Sequence, residues 1–249
     1  MKEVSYKTPS GNTYKLFEDM TEQTHLLVAG EAGSGKSVVV NGIITTLLYR
    51  FPWEAKLILI DPKRVELSPY KNLPHTICYA SEPSDMVYAL QYAMDICDSR
   101  YAEMQSRGER KYSGGDVYVI IDEWADLMTT QRRTVAPLVQ RLAQIGRASK
   151  VHVILCTQTP IAKIIPTEIK CNFDSRVGLR TRSAQDSRNI LGKTGLELLP
   201  RYGQGIYMTP EEETLYKIPY VDETEQKMLI DWWVSQKPVT KKKGWWKLW

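Results

Sequence analysis

Short apolar runs recur along the chain, and longer stretches between them carry apolar side chains every three or four residues. His25–Ala29, Lys56–Ile60, Thr76–Tyr79, Val117–Ile121, Val151–Cys156 and Arg176–Leu179 have the length and composition of buried strands. The clearest helix covers Ser84 to about Arg107, where Met86, Leu90, Met94, Cys97, Tyr101 and Met104 share one face. Pro83 and Ser81 suit its first turn and cap. A second helix is predicted from about Arg132 to Ser149, with Val135, Leu138, Leu142 and Ile145 on one face. Strands alternating with helices predict βαβ units and a mostly parallel sheet flanked by helices, an α/β fold. Further on, "GQGIYM" and "TLYKIPY" read as a hairpin around "TPEEE", and Asp222 to about Gln236 as a final helix.

Between the first strand and "VVVNGIITTLLYR", a helical pattern, lies "GEAGSGKS", Gly30 to Ser37. A glycine-rich turn in that position aims successive backbone N–H groups and a helix N-terminus at one point, which fits polyphosphate. Gly30, Glu31, Ala32, Gly33, Ser34, Gly35, Lys36, Ser37 and Val38 form the expected cradle for ATP. Lys36 would reach the β- and γ-phosphates and the Ser37 hydroxyl would sit on Mg²⁺. In "VYVIIDEWADLM" an apolar run ends in Asp122 and Glu123. Asp122 would serve the metal, and Glu123 would polarise the attacking water. A small-molecule kinase must exclude water and has no need of that carboxylate, whereas an ATPase needs it. In "VHVILCTQTP", Gln158 stands at the polar tip of a strand, within range of the γ-phosphate or the water.

Charge refines this picture. The net charge is +4, yet the segment Gln236 to Trp249 holds five lysines and no acid, leaving −1 for residues 1–235. Within that near-neutral body, Arg132, Arg133, Arg141, Arg147 and Lys150 lie in an acid-free stretch. Arg176, Arg180, Arg182, Arg188 and Lys193 face Asp186 alone. Such runs are either solvated helix faces or oriented phosphate sites. The four cysteines, Cys78, Cys97, Cys156 and Cys171, show neither CxxC spacing nor histidines at ligand spacing and read as thiols of a reducing cytoplasm. No apolar run approaches the ~20 residues of a membrane span.

Taken together, "HLLVAGEAGSGKSVVVNGIITTLLYR", "LILIDPKRVELSPYKNLPH", "VIIDEWADLM", "RLAQIGRASKVHVILCTQTP" and "DSRNILG" resemble the motor domain of the FtsK/SpoIIIE DNA translocases, from about residue 24 to 208. The resemblance implies a RecA-like P-loop NTPase core, ATP with Mg²⁺, and a homohexameric ring pumping double-stranded DNA. Lys36 and Ser37, Asp122 and Glu123, and Gln158 as sensor carry over by position. Arg147 in "IGRAS" matches the arginine that reaches a neighbouring subunit's ATP, and its permanently charged fork suits that task. Asp61 and Lys63 match the "DPK" signature, read either as a strand-ending turn or as part of the site. Arg180, Arg182 and Arg188 fall in the region expected to touch DNA. Thr159 and Ala184 stand where relatives often carry arginine and lysine, so those contacts are expected to be weaker or rearranged.

The expected organisation is a short N-terminal segment (1–23), an ATPase motor domain (24–221), a C-terminal helix (222–236) and a Lys/Trp-rich tail (237–249). No membrane-spanning or winged-helix region of the larger relatives is recognisable. The tail "KPVTKKKGWWKLW" reads either as a frayed end or as a docking segment for an anionic membrane surface or membrane partner. The leading functional expectation is a DNA translocase, in mobile-element transfer or chromosome or plasmid movement. A polypeptide-moving secretion ATPase of the same superfamily is the alternative. "DPKRVEL" separates them, because secretion relatives tend to carry tyrosine and glycines after that aspartate. An assembly factor using ATP only as a switch would not need Glu123 and Arg147.

Overall fold

The computed structural model describes residues 3–7, 13–17, 23–217 and 220–236. The 237–249 tail, and residues 218 and 219 of the second hairpin run, lie outside the described residues. The apolar runs form β3 (His25–Ala29), β4 (Lys56–Ile60), β5 (Thr76–Ala80), β6 (Val117–Ile121), β7 (Val151–Thr157) and β8 (Ser175–Leu179), all paired in parallel. The hairpin expected from "GQGIYM" is β9 (Gln204–Met208) with β10 (Glu213–Lys217), antiparallel, and β9 pairs antiparallel with β8. The eight-stranded sheet has the order β10-β9-β8-β3-β7-β6-β4-β5. Residues expected only as an N-terminal segment contain β1 (Glu3–Lys7) and β2 (Thr13–Phe17), an antiparallel pair.

Alternation along the central strands divides the core into two layers. Leu27, Ile58, Ile60, Val119, Ile121, Val153 and Leu155 point to one face, covered by α2 (Pro83–Arg107), α3 (Trp124–Thr130) and α4 (Arg132–Ser149). Leu26, Val28, Leu57, Leu59, Ile120 and Ile154 point to the other, covered by α1 (Lys36–Arg50) and α5 (Glu223–Ser235). Two-sided burial is why these strands read as unbroken apolar runs. Each such side chain stabilises the fold by about 1.5–3 kcal/mol.

Helix details depart from expectation in three places. α2 starts at Pro83, and its cap residue is Glu82, without a side-chain cap bond, in place of Ser81. The buried face of α4 is Val135, Val139, Leu142, Ala143 and Gly146, while Leu138 and Ile145 are only half-buried. Gly146 belongs to the buried face because the chain turns back into β7 so closely that a Cβ there would lie 2.1 Å from the Val151 carbonyl oxygen. α5 begins one residue later than expected, because Asp222 caps it, its Oδ1 accepting from Thr224 N (2.9 Å) and Glu225 N (3.0 Å). No described helix is long and apolar enough to cross a membrane.

Candidate active site

The phosphate loop joins β3 to α1 at the carboxyl end of the sheet, where parallel folds place ligands. Gly33 and Gly35 hold left-handed backbone (φ 75° and 102°), which glycine adopts without strain. Gly30 is needed for space, since a Cβ there would come within 2.6 Å of Leu179 Cβ. The loop is tied to both neighbouring strands: Gly30 N donates to Thr157 O (3.3 Å) and Glu31 N to Arg180 O (2.8 Å). Register explains this, because Ala29 lies opposite Thr157 on one side and Gly178 on the other.

Lys36 is buried at the start of α1, and its Nζ donates to the Asp122 backbone oxygen (3.0 Å) and to the Asp122 carboxylate. Burial alone would lower the Lys36 pKa, but it stands above its ordinary value, with Cys156 and Asp122 opposing burial. The Cys156 thiol is itself pushed far up by burial and is neutral, so Asp122 is the charge that matters. Asp122 Oδ2 and Ser34 Oγ are buried and have no hydrogen-bond partner among the described residues. Two orphaned oxygens beside a phosphate loop fit a site whose remaining partners are a ligand's atoms.

Glu123 is buried and precedes the first turn of α3, making no side-chain cap bond to it. Its Oε1 accepts from Thr157 Oγ1 (2.8 Å) and Gln158 N (3.1 Å), and its Oε2 from Lys63 Nζ (3.2 Å). The strand tip expected to sense phosphate thus also orients the carboxylate expected to act on water. The Gln158 side chain lines a cavity of about 230 Å³ with Glu31, Ala32, Thr181 and Arg182.

Arg147 lies elsewhere. It is exposed in the last turn of α4, beside the amino end of β7. There it lines a cavity of about 740 Å³ with Thr24, His25, Gln144, Asp174 and Pro210. His25 in its wall is neutral: burial, then the nearby His152, lowers its pKa to about 3. The cavity opens at the amino end of β3 and the phosphate loop follows its carboxyl end, so a strand of about 16 Å separates them. The structure does not bring Arg147 to its own chain's phosphate loop.

The three arginines expected at DNA also separate. Arg182 and Arg188 are exposed. Arg180 also has partners within the chain: its Nε pairs with Glu31 (3.1 Å) and its Nη1 donates to Leu199 O (2.9 Å), so it braces the phosphate loop. That brace carries the 199–203 turn to the site, where Arg201 Nη2 comes within 3.8 Å of the position a Gly33 Cβ would take. Sequence reasoning missed Arg201 and the Thr157 bond, and left Lys63 open. For Lys63 the signal was its place immediately after a strand end in "DPK".

Comparison with known proteins bears on the family and the fold. The model of the FtsK/SpoIIIE family matches residues 6–118 and 115–162. A protein described as DNA translocase FtsK from Rickettsia bellii (strain RML369-C) is 34% identical over 262 residues, covering 87% of this chain and 35% of that protein. Another of that description, from Oceanobacillus iheyensis, is 33% identical over 276 residues, covering 96% and 35%. This chain therefore spans about a third of the length of the curated relatives it matches. Among solved structures, the pCW3 conjugation coupling protein TcpA, a monomer form with ATPγS, has TM-score 0.73 at 25% identity, covering 91% of this chain and 69% of that one. The cytoplasmic domain of the Thermomonospora curvata Type VII secretion ATPase EccC has TM-score 0.75 at 20% identity, covering 95% and 31%, a likeness of fold alone. The sheet, the phosphate loop and these matches describe a RecA-like P-loop fold, and the chain belongs to the FtsK/SpoIIIE family.

Proposed function

We propose that this chain is an ATP-driven motor that moves double-stranded DNA as a homo-oligomeric ring, a hexamer by family resemblance. The observation that carries the reading is Glu123, buried and oriented by Thr157 and Gln158, one residue from the carboxylate that pairs with Lys36. That arrangement suits hydrolysis by an activated water. ATP would lie on the backbone N–H groups of Gly30–Val38, with Lys36 neutralising the phosphates. Ser37 and the orphaned Oδ2 of Asp122 would hold Mg²⁺, which when bound would neutralise phosphate charge. Glu123 accepts the proton of the attacking water, and Gln158 positions the water or the γ-phosphate.

Arg147 serves a second copy of the chain, since it stands at the far end of the sheet from its own phosphate loop. DNA is the favoured cargo because relatives over 30% identical are described as DNA translocases, whereas the secretion ATPases share only the fold. Arg182 and Arg188 supply exposed charge for the backbone. The Lys/Trp tail would hold the ring at an anionic membrane surface or a membrane partner.

The test is ATP hydrolysis with and without duplex DNA across a salt series. We expect stimulation that is indifferent to DNA sequence and falls as salt rises. Arg188→Glu should lower stimulation several-fold and leave basal ATP binding intact. Equal rates with and without DNA at low salt would favour the polypeptide-moving reading. Arg180 is unsuitable for this test, because its loss would also release Glu31 and the phosphate loop.

A further inference from the structure

A carboxylate that takes a proton from water needs an unshared lone pair facing that water, and each carboxylate oxygen offers two. On Glu123, Oε1 already accepts from Thr157 Oγ1 and Gln158 N. The oxygen left to work is Oε2, which has a longer contact to the same N–H (3.3 Å) and the Lys63 ammonium at 3.2 Å. The ammonium there takes up the lone pair that a water molecule's hydrogen would need.

The two partners differ in freedom. Glu123 is buried, whereas the Lys63 side chain is 43% exposed and is free to swing. The loop that carries it is fixed at its base: Asp61 Oδ2 accepts from Leu67 N (3.0 Å) and Ser68 N (3.1 Å), and Asp61 O from Arg64 N (3.2 Å). Arg64 sits in left-handed backbone (φ 58°) and pairs with Glu82, so the tip holds its shape. Lys63, Arg64 and Val65 are exposed together at its tip, beside the site. Phosphates of a bound polyanion compete for Lys63 with the same charge that Glu123 offers.

We propose that Lys63 is a positioning residue that restrains Glu123: it occupies Oε2 in the absence of DNA and leaves it for DNA phosphates, freeing the base. The proposal rests on the reading of Glu123 as the water-activating group. It makes the "DPK" loop the connection between DNA binding and the ATP site, and it gives DNA stimulation a local cause.

The experiment measures kcat and KM for ATP, with and without duplex DNA, in the full chain carrying Lys63→Met, Lys63→Arg or Lys63→Met with Glu123→Gln. Lys63→Met should raise the DNA-free kcat about two- to fivefold, the range of a partly exposed ion pair. Its KM and its DNA-stimulated kcat should stay unchanged, so the stimulation ratio falls. Lys63→Arg should keep the wild-type ratio, and the double variant should be inactive. A DNA-free kcat that is unchanged or lower in Lys63→Met overturns the restraint. Glu123→Gln measured alone separates the two failures: wild-type hydrolysis there overturns the reading of Glu123 itself, while loss of hydrolysis confines any failure to Lys63.

Discussion

Glu123→Gln is expected to bind ATP as tightly as the wild type and to hydrolyse it about 10²–10⁴-fold more slowly, the usual cost of losing a general base. The amide keeps the size of the side chain, and its oxygen can still accept from Thr157 Oγ1 and Gln158 N, so the strand tip holds its shape. It cannot take a proton. Lys36→Ala is expected to fail differently, losing nucleotide binding itself, because the phosphates lose their counter-charge. It also leaves the buried Asp122 carboxylate unpaired, a change of the kind that costs about 3–5 kcal/mol. A lowered melting temperature should therefore accompany Lys36→Ala and not Glu123→Gln. Binding of a labelled ATP analogue, single-turnover hydrolysis and thermal melts together separate the two. Wild-type turnover by Glu123→Gln would remove that residue from its role.

The second large effect is expected between subunits. Arg147→Ala should abolish steady-state hydrolysis while leaving ATP binding in place, since the residue stands a strand's length from its own phosphate loop. An arginine supplied in trans is worth about 10³–10⁵ in kcat in other nucleotide hydrolases. Mixing Arg147→Ala subunits with Glu123→Gln subunits should restore some activity. At a fraction of interfaces an intact Glu123 then meets an intact Arg147. Mixed rings, demonstrated by co-purification of differently tagged subunits, with no more activity than the separate variants would place Arg147 outside the reaction.

The phosphate loop and the Asp122–Glu123 pair were legible because each is set by a few adjacent residues: a strand end, a turn and a helix start. The parallel sheet followed from unbroken apolar runs alternating with helical periodicity. What stayed hidden depends on strand order. Lys63 reaches Glu123 because β4 lies beside β6 with Ile60 opposite Ile121, so the two loops leave the sheet together. Arg180 reaches Glu31 because β8 lies beside β3 with Gly178 opposite Ala29. Neither the charge run nor the family resemblance separates Arg180 from Arg182 and Arg188. The same topology shows that Arg147, close in sequence to Gln158, stands at the other end of β7. The β1–β2 pair was within reach of sequence reasoning. Val4 and Tyr6, then Tyr14 and Leu16, alternate with other residues on either side of Pro9-Ser10-Gly11-Asn12.

ATP hydrolysis by this chain is expected to move it along duplex DNA. Displacement of a third strand from a triplex placed far from the entry end reports that movement directly, because neither binding nor hydrolysis alone removes a distant strand. ATP-dependent displacement by the wild-type ring, lost in Glu123→Gln, is the expected result. Hydrolysis stimulated by DNA with the triplex left in place would contradict it.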